Sequence, residues 1–186
     1  LWNLGDVIMG KPSSLPNLME KIICKDIRLI LGNHDKSIKI HRINDKGKRV
    51  PNGKLGSCFS DVRDKYKIKY NYKGEKISVY LNHEPLHTWP NIHRGSFHLF
   101  GHCHGNLPKR NLRCMDVGVD TNDFKPYLLD DILDKLVKVD FNHSSDLPKD
   151  HHINLTDKCV IGSTYNPIME CGHNEENFYI YPGLTG

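Results

Sequence analysis

Four times in the first hundred or so residues, a short apolar run stops at Gly or Asn and is followed at once by oxygen or imidazole side chains. The sites are Leu4-Gly5-Asp6, Leu31-Gly32-Asn33-His34-Asp35, Leu81-Asn82-His83-Glu84 and Phe100-Gly101-His102-Cys103-His104. A parallel strand ends this way when it serves as a rigid base for a loop that carries chemistry. Four such endings in one chain predict an α/β fold whose strand ends converge on one composite site. Carboxylate, amide oxygen and imidazole together suit a first-row metal better than calcium or a thiolate-bound zinc.

Secondary structure is read around those endings. Leu1 to Ile8 reads as a strand, Leu15 to Ile23 as a short amphipathic helix after the Lys11-Pro12-Ser13-Ser14 turn, and Ile27 to Leu31 as a buried parallel strand. That strand–helix–strand unit argues for α/β architecture. Residues 44–57, with Asn44-Asp-Lys-Gly and Pro51-Asn-Gly-Lys, read as the clearest loop. Tyr66 to Tyr72 alternates, turns at Lys73-Gly74-Glu75 and returns over Lys76 to Leu81, which predicts a β-hairpin. Lys65, Lys67 and Lys69 are then its solvated face.

Further along, Ser96 to Phe100 and Cys114 to Val119 read as strands, and Tyr127 to Val139 as a helix opened by Pro126. Short strands are expected near Cys159–Ile161 and Phe178–Tyr181, where the pattern weakens.

Bulk composition sets limits. The chain has 186 residues, 38% hydrophobic and 26% charged, which suits one globular domain and excludes wholesale disorder. It has no apolar run long enough for a membrane span. Its six cysteines form no Cys-x-x-Cys pair and read as free thiols in a reducing cytoplasm. The net charge of +4 favours an anionic substrate without indicating nucleic acid.

In order and spacing, Gly5-Asp6, Gly32-Asn33-His34-Asp35, Asn82-His83-Glu84-Pro85 and Gly101-His102-Cys103-His104 resemble the calcineurin-like metallophosphoesterase superfamily, especially its small bacterial and phage members. Val117-Gly118-Val119-Asp120, followed by Lys125-Pro126-Tyr127, is similar to those members too. The resemblance covers residues 1–138 and leaves 139–186 as a C-terminal extension packed on the same domain. It implies a four-layer αββα sandwich and hydrolysis of a phosphomonoester or phosphodiester by a metal-bridging hydroxide.

The resemblance also implies a ligand set. Asp6 would bridge two divalent ions, manganese first, with iron, zinc or nickel as substitutes. Asn33, His83 and His102 would complete one ion's sphere, and His104 would bind the other. Asn33 and His34 would meet the substrate phosphate. His34 would protonate the leaving oxygen, with Asp35 steadying its ring.

The family's first motif, Asp-x-His on an N-terminal strand, would lie before Leu1, so the chain reads as lacking it. Asp150-His151-His152 follows Leu-Pro-Lys rather than an apolar strand and is no substitute. Two rival readings remain: a non-catalytic interaction module on the same fold, and a nuclease of the superfamily using the hairpin lysines with Tyr66, Tyr70 and Tyr72. A separate zinc site in the tail, from Cys159, Cys171 and His173, matches no compact spacing.

Overall fold

A computed structural model of the chain describes residues 1–148. The expectations about residues 149–186 (two strands, the Asp150-His151-His152 triplet and the tail cysteines) lie outside them. The architecture is mixed α/β, with several sheets and few helices.

β1 (Trp2–Asn3), β2 (Arg28–Ile30) and β5 (Asp61–Arg63) form a three-stranded parallel sheet in the order β1-β2-β5. α1 (Leu15–Glu20) covers it, burying Leu15 with Ile27, Leu29, Phe59 and Val62.

The second sheet has the order β6-β7-β8-β9, from β6 (Lys65–Tyr72), β7 (Glu75–Asn82), β8 (Phe97–Phe100) and β9 (Cys114–Asp116). β6 and β7 form the antiparallel hairpin the alternation predicts, while β7, β8 and β9 run parallel. One face of this sheet, with Val79, Leu81, Phe97 and Leu99, packs against Ile132, Leu133 and Leu136 of α2 (Leu129–Leu136). Lys65, Lys67 and Lys69 are exposed.

A third core, of Leu86, Trp89, Ile92, Leu112 and Phe141, gathers Val139 and Leu147 as well. Residues just beyond 138 therefore pack onto the body of the fold. No helix among the described residues is long and apolar enough to cross a membrane.

Several boundaries differ from the sequence reading. The first strand stops at Asn3, because Gly5 (φ 102°) and Asp6 (φ 52°) turn the backbone out of the extended region. The first helix ends at Glu20 and the second begins at Leu129. Tyr127 is held back because its hydroxyl donates to the Thr121 carbonyl at 2.8 Å. The strand expected over Cys114–Val119 ends at Asp116, and Val119–Asn122 is a 3-10 turn.

Residues 44–57 are not all loop. β4 (Arg49–Asn52) pairs antiparallel with β3 (Lys39–Ile43) in a separate two-stranded sheet. Pro51 disguises the strand. Proline is admitted there because β4 is an edge, bonded on one side only.

A candidate metal centre at four parallel strand ends

The ends of β1, β2, β7 and β8 meet. Each belongs to a parallel pair, so the loops leave the sheets on the same side, as ligand-bearing loops do in open α/β sheets. The Gly101 amide donates to the His83 carbonyl at 2.9 Å, placing His102 beside His83.

Two glycines allow the closest approach. A Cβ on Gly5 would stand 2.3 Å from His83 Nδ1, and one on Gly32 would stand 2.2 Å from Asp6 Oδ1 and 2.4 Å from Asp6 N. No side chain fits at either position, which explains the glycine that opens each of these two endings.

At the junction, His83 Nε2 lies 2.9 Å from Asn33 Oδ1, 3.0 Å from His102 Nδ1 and 3.3 Å from Asp6 Oδ2. His102 Nδ1 is itself 3.0 Å from Asn33 Oδ1. The protonation pattern matters here. His83 Nδ1 donates to the Leu4 carbonyl at 2.6 Å, and a carbonyl can only accept. The lone pair of the neutral ring is therefore on Nε2, aimed into the junction.

Asn33 Oδ1 and Asp6 Oδ2 bring lone pairs, so with both rings neutral a single proton, on His102 Nδ1, would serve all four atoms. A divalent cation resolves that excess of acceptors. Ligands about 2.0–2.1 Å from a tetrahedral ion sit about 3.3 Å apart, close to the spacings seen. Asp6, His83 and His102 form the one group of three or more His, Cys, Asp or Glu side chains among the described residues with atoms close enough to share an ion. The residues fit a metal.

Asp6 and His102 both have left-handed backbone, with φ of 52° and 66°. Asp and His visit this region more readily than most residues, and the strain is a common mark of functional loops.

The remaining predicted residues sit around this junction. His34 is exposed, and its backbone amide donates to Asp6 Oδ1 at 2.9 Å. Asp35 is buried, and its carboxylate does not reach the His34 ring. Oδ2 accepts from the amides of Asp6 and Gly32, both at 2.8 Å, and Oδ1 accepts from Val7 N at 3.0 Å. Asp35 thus clamps the Asp6 loop to the Asn33 loop. Burial raises its pKa above the ordinary carboxylate value, against the lowering effect of the three amides.

His104 does not join the cluster. The pair 102/104 is a turn, not an extended segment, because His104 too has positive φ (50°). Its Nδ1 pairs with Asp120 Oδ2 instead. His104 and Asp120 nonetheless line the same cavity of about 610 Å³ as Asp6, His83 and His102.

Three supporting residues, Asp116, Asp120 and His98, lie outside the set of site residues expected from the sequence. Asp116 receives the amides of Gly105 and Gly118, both at 2.9 Å, and so holds the His104 turn. Asp116 and Asp120 follow a short apolar run at a strand end, the same signal as the four sites above. His98 is fully buried on β8: Nδ1 faces the Tyr80 carbonyl at 3.2 Å and Nε2 accepts from Leu86 N at 3.1 Å. That bond fixes the chain three residues after His83. A histidine inside the apolar run Phe97-His-Leu-Phe was its only trace. Burial drives its pKa down to about 4.

Comparison with known proteins adds little. No family model matches the chain, and no curated protein matches it. Among solved structures it is similar to a protein of unknown function, AQ665, from Aquifex aeolicus. The two are 21% identical over 73% of this chain and 75% of that one, with a TM-score of 0.45.

Proposed function

We propose that the chain is a metal-dependent phosphoesterase of the calcineurin-like metallophosphoesterase type, acting on a phosphomonoester or phosphodiester. In this reading its two larger sheets and flanking helices are the core of a four-layer αββα sandwich. The observation that supports it most is the meeting of Asp6, Asn33, His83 and His102 from four strand ends, with four ligand-type atoms within 3.3 Å of His83 Nε2 or His102 Nδ1.

A first-row divalent ion held there, Mn²⁺ or its Fe, Zn or Ni substitutes, supplies Lewis acidity toward a phosphoryl oxygen and acidifies water. A second ion, as the resemblance implies, would use Asp6 with His104. The protein's own part is positioning. The Leu4 carbonyl holds the His83 proton on Nδ1 and so directs the ring's lone pair inward. Asp35 fixes the spacing of the two loops that carry Asp6 and Asn33. Asp120 orients the His104 ring. His34, exposed beside Asn33, meets a phosphate oxygen and donates a ring proton to the leaving group.

The test is hydrolysis of 4-nitrophenyl phosphate and bis(4-nitrophenyl) phosphate with Mn²⁺ or Ni²⁺, beside a metal titration by calorimetry. Asp6→Ala and His102→Ala should abolish both turnover and tight metal binding. Unchanged turnover in both variants, or less than half an equivalent of metal bound by the parent protein, would remove the proposal.

A further inference from the structure

The segment that follows the Asn33-His34 loop carries an unusual charge. Lys36, Lys39, Arg42, Lys46, Lys48 and Lys54 are all exposed, and Asp45 is the only acid between residues 36 and 54. Among the described residues, none of these six side chains has an ion pair or hydrogen bond.

The platform beneath them is rigid. The β3–β4 turn is closed by Asn44 N to Lys48 O and by Gly47 N to Asn44 O, both at 2.9 Å, and the Asn44 side chain accepts from the amides of Lys46 and Lys48. At the root, buried His41 donates from Nε2 to the Gly56 carbonyl at 2.8 Å. Arg49, the remaining base, is spent on the frame: it lies 3.6 Å from Asp61 and donates to the His41 carbonyl.

Protecting a sheet edge from pairing needs a lysine or two. A braced hairpin whose unpaired cations repel one another fits a polyanion. Lys39 follows His34 by five positions, so its Cα lies within about 17 Å of the Cα of His34, the neighbour of Asn33 in the candidate metal centre.

From this juxtaposition we infer that the β3–β4 hairpin is a phosphate-backbone arm and that the site's substrate class is a polynucleotide. The inference rests on the phosphoesterase reading for the word substrate, but not for binding. A two-stranded ribbon is of a size to enter a nucleic-acid groove, and the cations on β3 (Lys39, Arg42), in the turn (Lys46, Lys48) and just after β4 (Lys54) can meet successive phosphates. An anionic membrane fits worse: the tip, residues 44–48, has no apolar side chain to insert, although Ile40 and Ile43 are exposed lower down.

The test is fluorescence anisotropy with labelled 20-residue single-stranded DNA, its RNA counterpart and a DNA duplex, without added divalent ions. With about four phosphates engaged, affinity for at least one of them should fall about 50- to 150-fold between 50 and 200 mM salt. The variant Lys39→Glu/Arg42→Glu/Lys46→Glu should lose most of that binding. The milder Lys39→Gln/Arg42→Gln/Lys46→Gln should flatten the log–log salt slope by about three and serves if the first fails to fold.

A parent slope shallower than about −1, a Gln variant binding within threefold of the parent, or tighter binding to phosphatidylserine vesicles than to any oligomer overturns the inference. Steep oligomer binding without any hydrolysis of either nitrophenyl ester would overturn the phosphoesterase reading alone. Ester hydrolysis without oligomer binding would do the reverse.

Discussion

Replacing Asp35 by alanine separates two accounts of this residue. If its carboxylate served the His34 ring, the variant would lose turnover and keep its stability. The geometry says otherwise: Asp6 N, Val7 N and Gly32 N all end on its oxygens, in a place 2% exposed. A donor left without a partner in such a place costs about 1–3 kcal/mol. Water entering the vacated space recovers part of that, so Asp35→Ala should cost about 3–5 kcal/mol in all.

Asp35→Asn sharpens the test. Its oxygen can keep the Asp6 and Gly32 amides while its NH₂ group faces Val7 N–H, for a loss of about 2 kcal/mol. Urea denaturation of protein stripped of divalent ions reads these values directly. The alanine variant should also melt about 10 °C lower. An alanine variant within 0.5 kcal/mol of its parent would refute the clamp, whatever happened to catalysis.

Three further outcomes follow from the geometry. His98 has a folded pKa near 4 against an ordinary 6.5, so the unfolded chain binds its proton first. Its contribution, about 3 kcal/mol, is present above pH 6.5 and lost as pH falls toward 4; His98→Gln should flatten that slope in denaturation midpoints. Gly32→Ala puts a methyl 2.2 Å from Asp6 Oδ1 and should weaken metal binding in calorimetry by at least about tenfold, even where the variant folds. Asp120→Ala frees the His104 ring and should leave binding at the Asp6–His83–His102 group within about threefold, since His104 is not part of it.

Long, periodic features were legible in the sequence. The β6–β7 hairpin repeats a two-residue alternation over eight residues on each strand, and no competing pattern overlays it. The strand-end punctuation located Asp6, Asn33, His83 and His102; at Gly5 and Gly32 it has a physical cause, since a glycine that must admit a neighbouring loop leaves a mark in the chain. What stayed hidden depends on contacts between distant segments. β4 was masked by Pro51 and by turn residues on both sides, and only its partner β3 makes it a strand. Asp35 lies beside His34 in sequence, yet its bonds go to Asp6 and Val7, nearly thirty positions away. The left-handed backbone at His102 and His104, which sends the two rings to different partners, has no one-dimensional signature.

The bond from His83 Nδ1 to the Leu4 carbonyl crosses from one sheet to the other, and so does the meeting of Asp6 with His102. A cation at that crossing would act as a rivet between the two sheets. At a free concentration of 100 times its dissociation constant, the ion would add about 2.7 kcal/mol to the folded state. Chelation would then loosen the seam before the sheets themselves melt, with amide exchange rising first at Leu4–Asp6 and Gly101–His102.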